Sequence, residues 1–231
     1  MMPVLLLHGA LGTKADLDPL KNHLQNKGCE VHSFSFSGHD HKSPTEYNIT
    51  RFAYETETYI RLNGLEPCHV FGYSMGAYIA LYLSIHEPQL ISSISSYGTK
   101  FDWSQESVSK ETALLVPEIM QEKIPAFVEQ LQIKHGDAWS EVVKQTADLM
   151  RDIGQKQYLQ ETTLALVKHP VLLGLGNKDH MVTESETAKV TQYLPNAKRF
   201  FLHDGKHSLN SVNAEQLSEL LLDFFNNAGN S

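Results

Sequence analysis

The strongest constraint on the fold is a regular alternation of short apolar runs with amphipathic segments. The runs have the length of strands, and the segments between them repeat apolar residues every three or four positions, as amphipathic helices do. Predicted strands are 3–7, 30–36, 68–73, 90–97, 170–175 and 198–203, and predicted helices are 16–27, 48–62, 75–86, 184–194 and one from about 213. Strands that alternate with helices pair in parallel through right-handed crossovers. The sequence therefore predicts a doubly wound α/β fold with a predominantly parallel sheet and helices on both faces.

One long stretch, residues 101–168, interrupts this alternation. It shows helical periodicity without a convincing strand, in three segments at about 127–136, 139–149 and 157–166. We therefore predict that residues 1–100 and 169–231 form the core. Residues 101–168, called the helical insertion below, would then lie between two core strands and cover the carboxyl edge of the sheet.

The charge and the apolar content of the sequence restrict the partners and the location that we expect. The net charge is −8, and Lys and Arg form no dense run, so we expect neither nucleic acid nor an anionic membrane as partner. No apolar run approaches the ~20 residues that cross a bilayer, and Met1 leads into a strand without the pattern of a signal peptide. Cys29 and Cys68 are expected to be reduced thiols. These features favour a cytoplasmic protein without membrane insertion. A monomer or a homodimer is expected, because an exposed edge strand of the predicted sheet permits a dimer without arguing for one.

The segment Gly72-Tyr73-Ser74-Met75-Gly76 fits the pattern G-x-S-x-G. It stands where the predicted strand 68–73 meets the predicted helix 75–86, and a sharp turn there needs strained backbone at the serine and small neighbours. The hydroxyl would lie at the positive end of a helix, where developing negative charge is favoured. Ser74 is therefore the candidate nucleophile, and a tight packing turn is the alternative.

A second glycine-containing segment, His8-Gly9-Ala10-Leu11-Gly12, follows the first strand. Acyl transfer needs two N–H donors for the tetrahedral oxyanion. The candidate oxyanion hole consists of the backbone N–H groups of Ala10 and Met75. His8 comes too early in the chain order to be the base, and we interpret it as a residue that braces this loop.

With Gly176-Asn177-Lys178-Asp179 and Gly205-Lys206-His207, these two segments resemble the α/β-hydrolase superfamily over nearly the whole chain except the insertion. The order serine, acid, histidine is the family's own. The motifs are most similar to those of small cap-bearing carboxylesterases and of the menaquinone-pathway lyase group. This resemblance implies a catalytic triad of Ser74, Asp179 and His207, and it makes the insertion a cap, or lid.

The sequence departs from that family in three places. The first strand begins at residue 3, so the usual N-terminal antiparallel hairpin is missing, and we predict six strands, all parallel, with 30–36 at an edge. Ala77 and Tyr78 stand where the lyase group usually shows glycine and arginine, which weakens the lyase interpretation. Ala10 is small where many relatives carry an aromatic residue, which predicts a wide pocket mouth.

The residues themselves also favour His207 as the base. A serine hydroxyl needs a positioned base with a pKa near 7. His207 follows the last strand in a flexible loop at the carboxyl end of the sheet, where functional groups of open α/β sheets gather. His203 and His180 are the alternatives. A metal site at His39-Asp40-His41 is a further hypothesis, although polarity of a solvated turn explains those residues more simply.

Asp179 is the candidate acid because it follows the strand 171–175 by a short loop. A carboxylate there can hold the imidazole in the required tautomer and stabilise its cation. Asp102, which follows the strand ending near residue 97, is the rival. Asp204 lies too near the histidine along the chain.

Together these residues predict hydrolysis of a small or medium carboxylic ester or thioester through an acyl-enzyme, without cofactor or metal. The expected partner is a small-molecule substrate with an apolar acyl group, because Leu11, Met75 and aliphatic faces of the insertion would form the pocket walls. Trp103 and Trp139 are further pocket candidates, unless both simply pack the insertion onto the core.

Other functions can use the same three residues. A lyase, a carbon–carbon bond hydrolase, an acyltransferase and a perhydrolase are alternatives that fold-level analogy does not separate. A ligand-binding sensor with slow turnover is the alternative from another class, and an inactive scaffold is the third.

Overall fold

The central sheet positions every candidate residue. The computed structural model describes residues 2–228. Its strands are β1 (Val4–Leu7), β2 (Val31–Ser33), β3 (Cys68–Tyr73), β4 (Ile91–Tyr97), β5 (Val171–Gly176) and β6 (Ala197–Leu202). In this part of the chain they form one open sheet in the order β2-β1-β3-β4-β5-β6, and all neighbours are parallel. The predicted doubly wound sheet of six parallel strands, with the second strand at an edge, is confirmed.

Strand β1 shows why the sheet needs helices on both faces. All four of its side chains are fully buried, and successive side chains of a strand point to opposite faces. Leu5 and Leu7 belong to one apolar cluster, whereas Val4 and Leu6 belong to another. Two separate cores therefore sandwich the sheet, as the continuous apolar run predicts.

The core helices close these two faces. They are α1 (Asp18–Asn26), α2 (Ile49–Leu62), α3 (Met75–His86), α9 (Glu184–Tyr193) and α10 (Ala214–Ala228). Helices α1 and α10 contribute Leu24 and Leu221 to one cluster, and α2 and α3 contribute Phe52 and Ile79 to the other. Helix α2 begins where expected because the Asn48 side chain accepts the backbone N–H of Arg51 at 2.8 Å.

Strand β2 is shorter than predicted. The sequence suggests 30–36, but only Val31–Ser33 pairs with β1. The Phe36 N–H donates instead to the His8 ring Nε2 at 3.1 Å, so this residue turns away from the ladder. The departure from the sheet starts a loop whose Ser35 and Phe36 contact Lys14 and His8, after the end of β1.

The insertion lies between β4 and β5 and contains five α-helices in this fully described stretch: α4 (Gln105–Thr112), α5 (Pro117–Lys123), α6 (Pro125–His135), α7 (Trp139–Lys156) and α8 (Glu161–Leu164). Helix α6 ends at His135, directly before Gly136, which has a φ of 62° and stops the helix as the sequence indicates. The segment predicted from 157 is shorter, because Gln157 adopts a left-handed conformation that ends α7. Helices α4 and α5 were not anticipated.

One face of the insertion is continuous with the main core. Leu149, Met150 and Ile153 on α7 belong to the same apolar cluster as β3 and α3. A smaller cluster, made of Met120, Val128, Leu131 and Val143, is formed within the insertion. Within residues 2–228, no helix is both long and apolar enough to cross a membrane.

Candidate active site

Ser74 occupies a strained turn between β3 and α3. Its φ and ψ are 50° and −113°, a combination that costs a non-glycine residue free energy and persists only where neighbours impose it. The Ser74 N–H donates to the Tyr97 carbonyl of β4 at 2.9 Å, and its carbonyl accepts the N–H of Ala77 at 3.2 Å. The backbone of Ser74 is thus held from both sides.

Two glycines make this turn possible. A Cβ atom at Gly72 would collide with the backbone of Ala77, and one at Gly76 would collide with the Leu7 carbonyl of β1. The strand and the helix can therefore pass closely only because both positions lack a side chain. The G-x-S-x-G pattern has a specific steric cause here.

His207 and Asp179 form a hydrogen-bonded pair. The distance between His207 Nδ1 and Asp179 Oδ2 is 2.9 Å, and a carboxylate can only accept, so Nδ1 carries the proton. The other carboxylate oxygen accepts the backbone N–H groups of Met181 at 2.8 Å and Val182 at 2.9 Å. The Asp179 side chain is fully buried, whereas His207 is one quarter exposed. Nε2 is consequently left as the acceptor that a base requires.

Electrostatics keep Asp179 ionised. Burial raises its pKa, but the hydrogen bond and charge of His207 and the two backbone donors outweigh burial and lower the pKa below the ordinary value. The rival Asp102 is exposed and accepts the N–H of Ser104. His203 is 86% exposed and pairs with Asp204.

The loops that carry the pair hold one another. After β5, the Lys178 N–H donates to the Gly205 carbonyl at 2.9 Å. After β6, the Tyr97 hydroxyl donates to the Lys206 carbonyl at 2.7 Å. Gly98 has a φ of 66°, and a Cβ atom there would lie 3.3 Å from His207 Nδ1. The positions of the candidate acid and the candidate base are therefore fixed by the ends of the three adjacent strands β4, β5 and β6.

The loop after β1, residues 8–12, lies against the serine. A Cβ atom at Gly9 would stand 2.8 Å from the Tyr73 ring and 3.3 Å from Ser74 Cβ, so this approach requires glycine. His8 accepts the Phe36 N–H through Nε2 and donates from Nδ1 to the Gly9 carbonyl at 2.8 Å. Burial lowers the pKa of His8 to about 4, which keeps the ring neutral and able to do both. His8 braces the loop, as interpreted from the sequence.

A cavity of about 440 Å³ opens beside these residues. Ser74 and His207 both line it, as do the predicted residues Ala10, Leu11, Met75 and Trp103. Trp139 is not among the lining residues found in the described chain; it packs instead against the small cluster inside the insertion. The insertion supplies much of the remaining wall through Leu149, Met150 and Ile153. The walls are mainly apolar, as expected.

Polar residues that sequence reasoning missed also reach the cavity. Lys100, which is 8% exposed, lies 3.7 Å from a Glu111 oxygen and 3.9 Å from a Glu186 oxygen. Its position just after β4, at the carboxyl edge, is the signal that could have identified it. Within residues 2–228, no group of three or more His, Cys, Asp and Glu side chains is arranged to hold a metal ion.

Solved structures share this arrangement of strands and helices. NosK from Streptomyces actuosus superposes with a TM-score of 0.83 at 19% identity, covering 99% of this chain and 100% of that chain. The 2-hydroxy-6-oxo-6-phenylhexa-2,4-dienoate hydrolase of Rhodococcus sp. strain RHA1 superposes with a TM-score of 0.75 at 18% identity, covering 97% and 90%. At this identity the likeness concerns the fold.

Comparison with known sequences identifies the family. RutD of Pseudomonas savastanoi pv. phaseolicola, a carbamate hydrolase by name, is 25% identical over 199 residues, covering 79% of this chain and 77% of that protein. The serine hydrolase BPHL of Mus musculus is 22% identical over 232 aligned positions, covering 96% and 78%. A family model described as the alpha/beta hydrolase fold matches residues 2–122, more than half of the sequence. The chain therefore belongs to the α/β-hydrolase fold family.

Proposed function

We propose that this chain is a serine hydrolase that cleaves a small or medium carboxylic ester or thioester through an acyl-enzyme. The observation that carries the proposal is the 2.9 Å hydrogen bond between the buried Asp179 carboxylate and His207, whose ring lines the same cavity as Ser74. Of the twelve histidines in the sequence, this one combines a buried carboxylate partner with access to the cavity.

The first half of the reaction forms the acyl-enzyme. Ser74 Oγ attacks the carbonyl carbon while His207 Nε2 takes the hydroxyl proton. Asp179 stays ionised, holds Nδ1–H and stabilises the imidazolium. The tetrahedral intermediate then collapses, the bond to the leaving oxygen or sulfur breaks, and the Nε2 proton passes to the leaving group.

The second half releases the acid. Water attacks the acyl carbon, and His207 Nε2 takes one of its protons. Collapse breaks the bond to Ser74 Oγ, which recovers the proton from Nε2. In both halves the backbone N–H groups of Ala10 and Met75 are proposed to donate to the oxyanion. The start of α3 adds the positive end of a helix dipole at the same place.

The cavity supports an apolar acyl group. Its walls combine Leu11 and Met75 from the core with aliphatic residues of α7, and a volume of about 440 Å³ suits a ligand of drug size or smaller. We propose that residues 101–168 act as the cap over this cavity. BPHL, named as a serine hydrolase, and RutD, named as a carbamate hydrolase, are relatives whose names agree with carbonyl hydrolysis.

Labelling with a fluorophosphonate probe tests the nucleophile. The parent protein should be labelled, Ser74→Ala should not, and the exposed control Ser185→Ala should be labelled at the parent rate. Equal labelling of the parent and Ser74→Ala would reject the proposal.

Turnover then separates enzyme from sensor. p-Nitrophenyl esters of increasing acyl length, matched thioesters and a p-nitrophenyl carbamate should identify a class with sustained release. A single burst without further turnover in all classes would favour the sensor.

A further inference from the structure

The C-terminal end of helix α6, in the insertion, touches the loop of the proposed oxyanion hole. His135 is the last residue of α6 and is 1% exposed. Its Nδ1 accepts the backbone N–H of Asp40 at 3.2 Å, and its Nε2 lies 3.1 Å from the Leu11 carbonyl oxygen. Because Nδ1 accepts, the ring proton is on Nε2 and is donated to Leu11. One imidazole thus joins the insertion to two loops of the core.

The Leu11 backbone needs such support. Its φ is 58°, a left-handed conformation that costs a residue with a Cβ about 1–2 kcal/mol. The Leu11 side chain packs against the small apolar cluster of the insertion, which includes Leu131 and Val143. Both the carbonyl and the side chain of this residue are therefore held from the insertion.

A continuous set of bonds runs from His135 to the Ala10 N–H. The peptide between Leu11 and Gly12 is held at its carbonyl by His135, and at its N–H by the Gly9 carbonyl at 3.1 Å. The same Gly9 carbonyl belongs to the peptide that carries the Ala10 N–H. In a planar trans peptide the direction of the carbonyl sets the direction of the N–H. The Gly9 carbonyl has two donors, the Gly12 N–H at 3.1 Å and His8 Nδ1 at 2.8 Å. Rotation at Leu11 would weaken the first of these bonds and so loosen the peptide that carries the Ala10 donor.

We propose that His135 is a positioning residue for the hydrolysis, which aligns the Ala10 N–H with the oxyanion by donating to the Leu11 carbonyl. This inference rests on the proposed function and assigns one residue of the insertion a role in it. The ring is suited to the task because burial, the largest influence, lowers the pKa of His135 and keeps it neutral. Only the neutral form of the His135 ring can accept the Asp40 N–H and donate to the Leu11 carbonyl at the same time, because the protonated form has no acceptor.

Two amide substitutions separate the two bonds of His135. In His135→Gln the amide nitrogen can take the place of Nε2 and keep the donor to Leu11, while the acceptor for Asp40 is lost. In His135→Asn the amide oxygen can take the place of Nδ1 and keep the acceptor, while the donor to Leu11 is lost. A third variant, His41→Asn, removes a neighbouring contact between the same end of α6 and the same core loop, since His41 Nε2 donates to the Ile133 carbonyl at 3.2 Å. Asparagine tolerates the φ of 60° at that position.

The first measurement is the rate constant of fluorophosphonate labelling, because phosphonylation places negative charge where the oxyanion forms. Loss of a direct oxyanion donor costs about 10²–10³ in rate, so tilting one donor in His135→Asn should cost roughly 10- to 50-fold. His135→Gln should stay within roughly threefold of the parent, and His41→Asn within roughly twofold. With a turned-over ester, the loss in His135→Asn should appear in kcat while KM changes little.

The outcomes distinguish failure of the proposed function from failure of the role of His135. No labelling of the parent would reject the proposed function itself. If the parent is labelled but His135→Asn and His135→Gln react at equal rates, only the role of His135 is rejected. Two equally slow variants would mean that His135 serves only to dock the insertion. Two equally fast variants would mean that neither bond of His135 matters for the reaction. Circular dichroism and thermal unfolding verify that each variant folds.

Chemical rescue provides a second route if an amide variant fails to fold. In His135→Ala, added imidazole should restore the labelling rate, whereas N-methylimidazole, which accepts but cannot donate, should not. The parent protein in the same solutions corrects for direct effects of either base. Equal rescue by both compounds would overturn the inference.

Discussion

The role of Asp179 can be tested by a substitution whose outcome the local hydrogen bonds determine. In Asp179→Asn, one side-chain atom must still face the backbone N–H groups of Met181 and Val182, which now bind Oδ1 at 2.8 and 2.9 Å. Two donors select the amide oxygen for that position, so the amide NH₂ faces His207 Nδ1. A donor opposite Nδ1 forces the ring proton onto Nε2. The base would then present a donor to Ser74 where an acceptor is needed.

The magnitude follows from this change of tautomer. In the serine–histidine–aspartate template, replacing the acid by its amide leaves the geometry intact and lowers kcat by about 10⁴, or about 5.5 kcal/mol of transition-state stabilisation. We expect a loss of that size here, because Asp179 is the buried partner of His207. Substrate binding should change little, since the Asp179 carboxylate is not among the groups lining the cavity in the described chain.

The assay is steady-state hydrolysis of the best p-nitrophenyl ester at pH 7 to 9, with thermal unfolding of each variant. Asp102→Asn is the matched control, because Asp102 is the rival acid and is exposed. Asp179→Asn should lose about 10⁴ in kcat, and Asp102→Asn should retain it. If Asp179→Asn keeps kcat within tenfold of the parent while folded, the assignment of the acid and the argument from amide orientation both fail.

Three further predictions concern the surroundings of the site. Gly98→Ala places a methyl group 3.3 Å from His207 Nδ1 at a φ of 66°, so it should lower kcat about tenfold and stability by about 1–2 kcal/mol; unchanged kinetics would contradict this. Burial lowers the pKa of His8 and of His69 to about 4, so the unfolded chain, with its higher histidine pKa of about 6.5, gains protons first as pH falls. Stability should therefore drop between about pH 6.5 and 4, by about 2 kcal/mol for each of the two at pH 5, and His69→Phe should flatten that slope in urea unfolding. Lys100→Met removes the cation that lies 3.7 Å from a Glu111 oxygen and 3.9 Å from a Glu186 oxygen. Glu186 still accepts the N–H groups of Phe101 and Asp102, but Glu111 loses its cation, so the change should cost about 3 kcal/mol in urea unfolding; a loss below about 1 kcal/mol would refute the importance of this ion cluster.

Local chemistry explains why much of the fold was predictable. The limits of β3 and α3 agree with the sequence prediction to the residue, because the glycines around Ser74 mark the end of one and the start of the other. The parallel pairing of the strands followed from their alternation with helices and from the crossover rule. β2 was predicted too long because its end depends on His8, which lies 28 residues away and takes the N–H of Phe36.

In the candidate site, too, residues marked by a local pattern were predictable and residues defined by distant contacts were not. Asp179 and His207 could be selected because each follows a strand directly, where open sheets place their functional groups. Lys100 follows β4 in the same way and could have been selected, although its partners Glu111 and Glu186 could not. His135 could not be selected, because its partners Asp40 and Leu11 lie 95 and 124 residues away in the sequence. Local patterns state what a residue can do but not which distant group it meets.

The insertion was predicted as a helical segment, but the sequence did not show which of its residues line the cavity. The face of α7 that bears Leu149, Met150 and Ile153 has the spacing of an ordinary buried stripe, yet in the structure this stripe is also a cavity wall. Trp103 and Trp139 were equal candidates by sequence, and only the first reaches the cavity. The proposed reactive groups lie at strand ends with strict steric demands, whereas the wall needs only apolar volume. In the proposed hydrolase, variation in the insertion would therefore change the acyl group that fits while leaving the strand ends that hold Ser74, Asp179 and His207 intact, except at His135, where a change would reach the proposed oxyanion donor through Leu11.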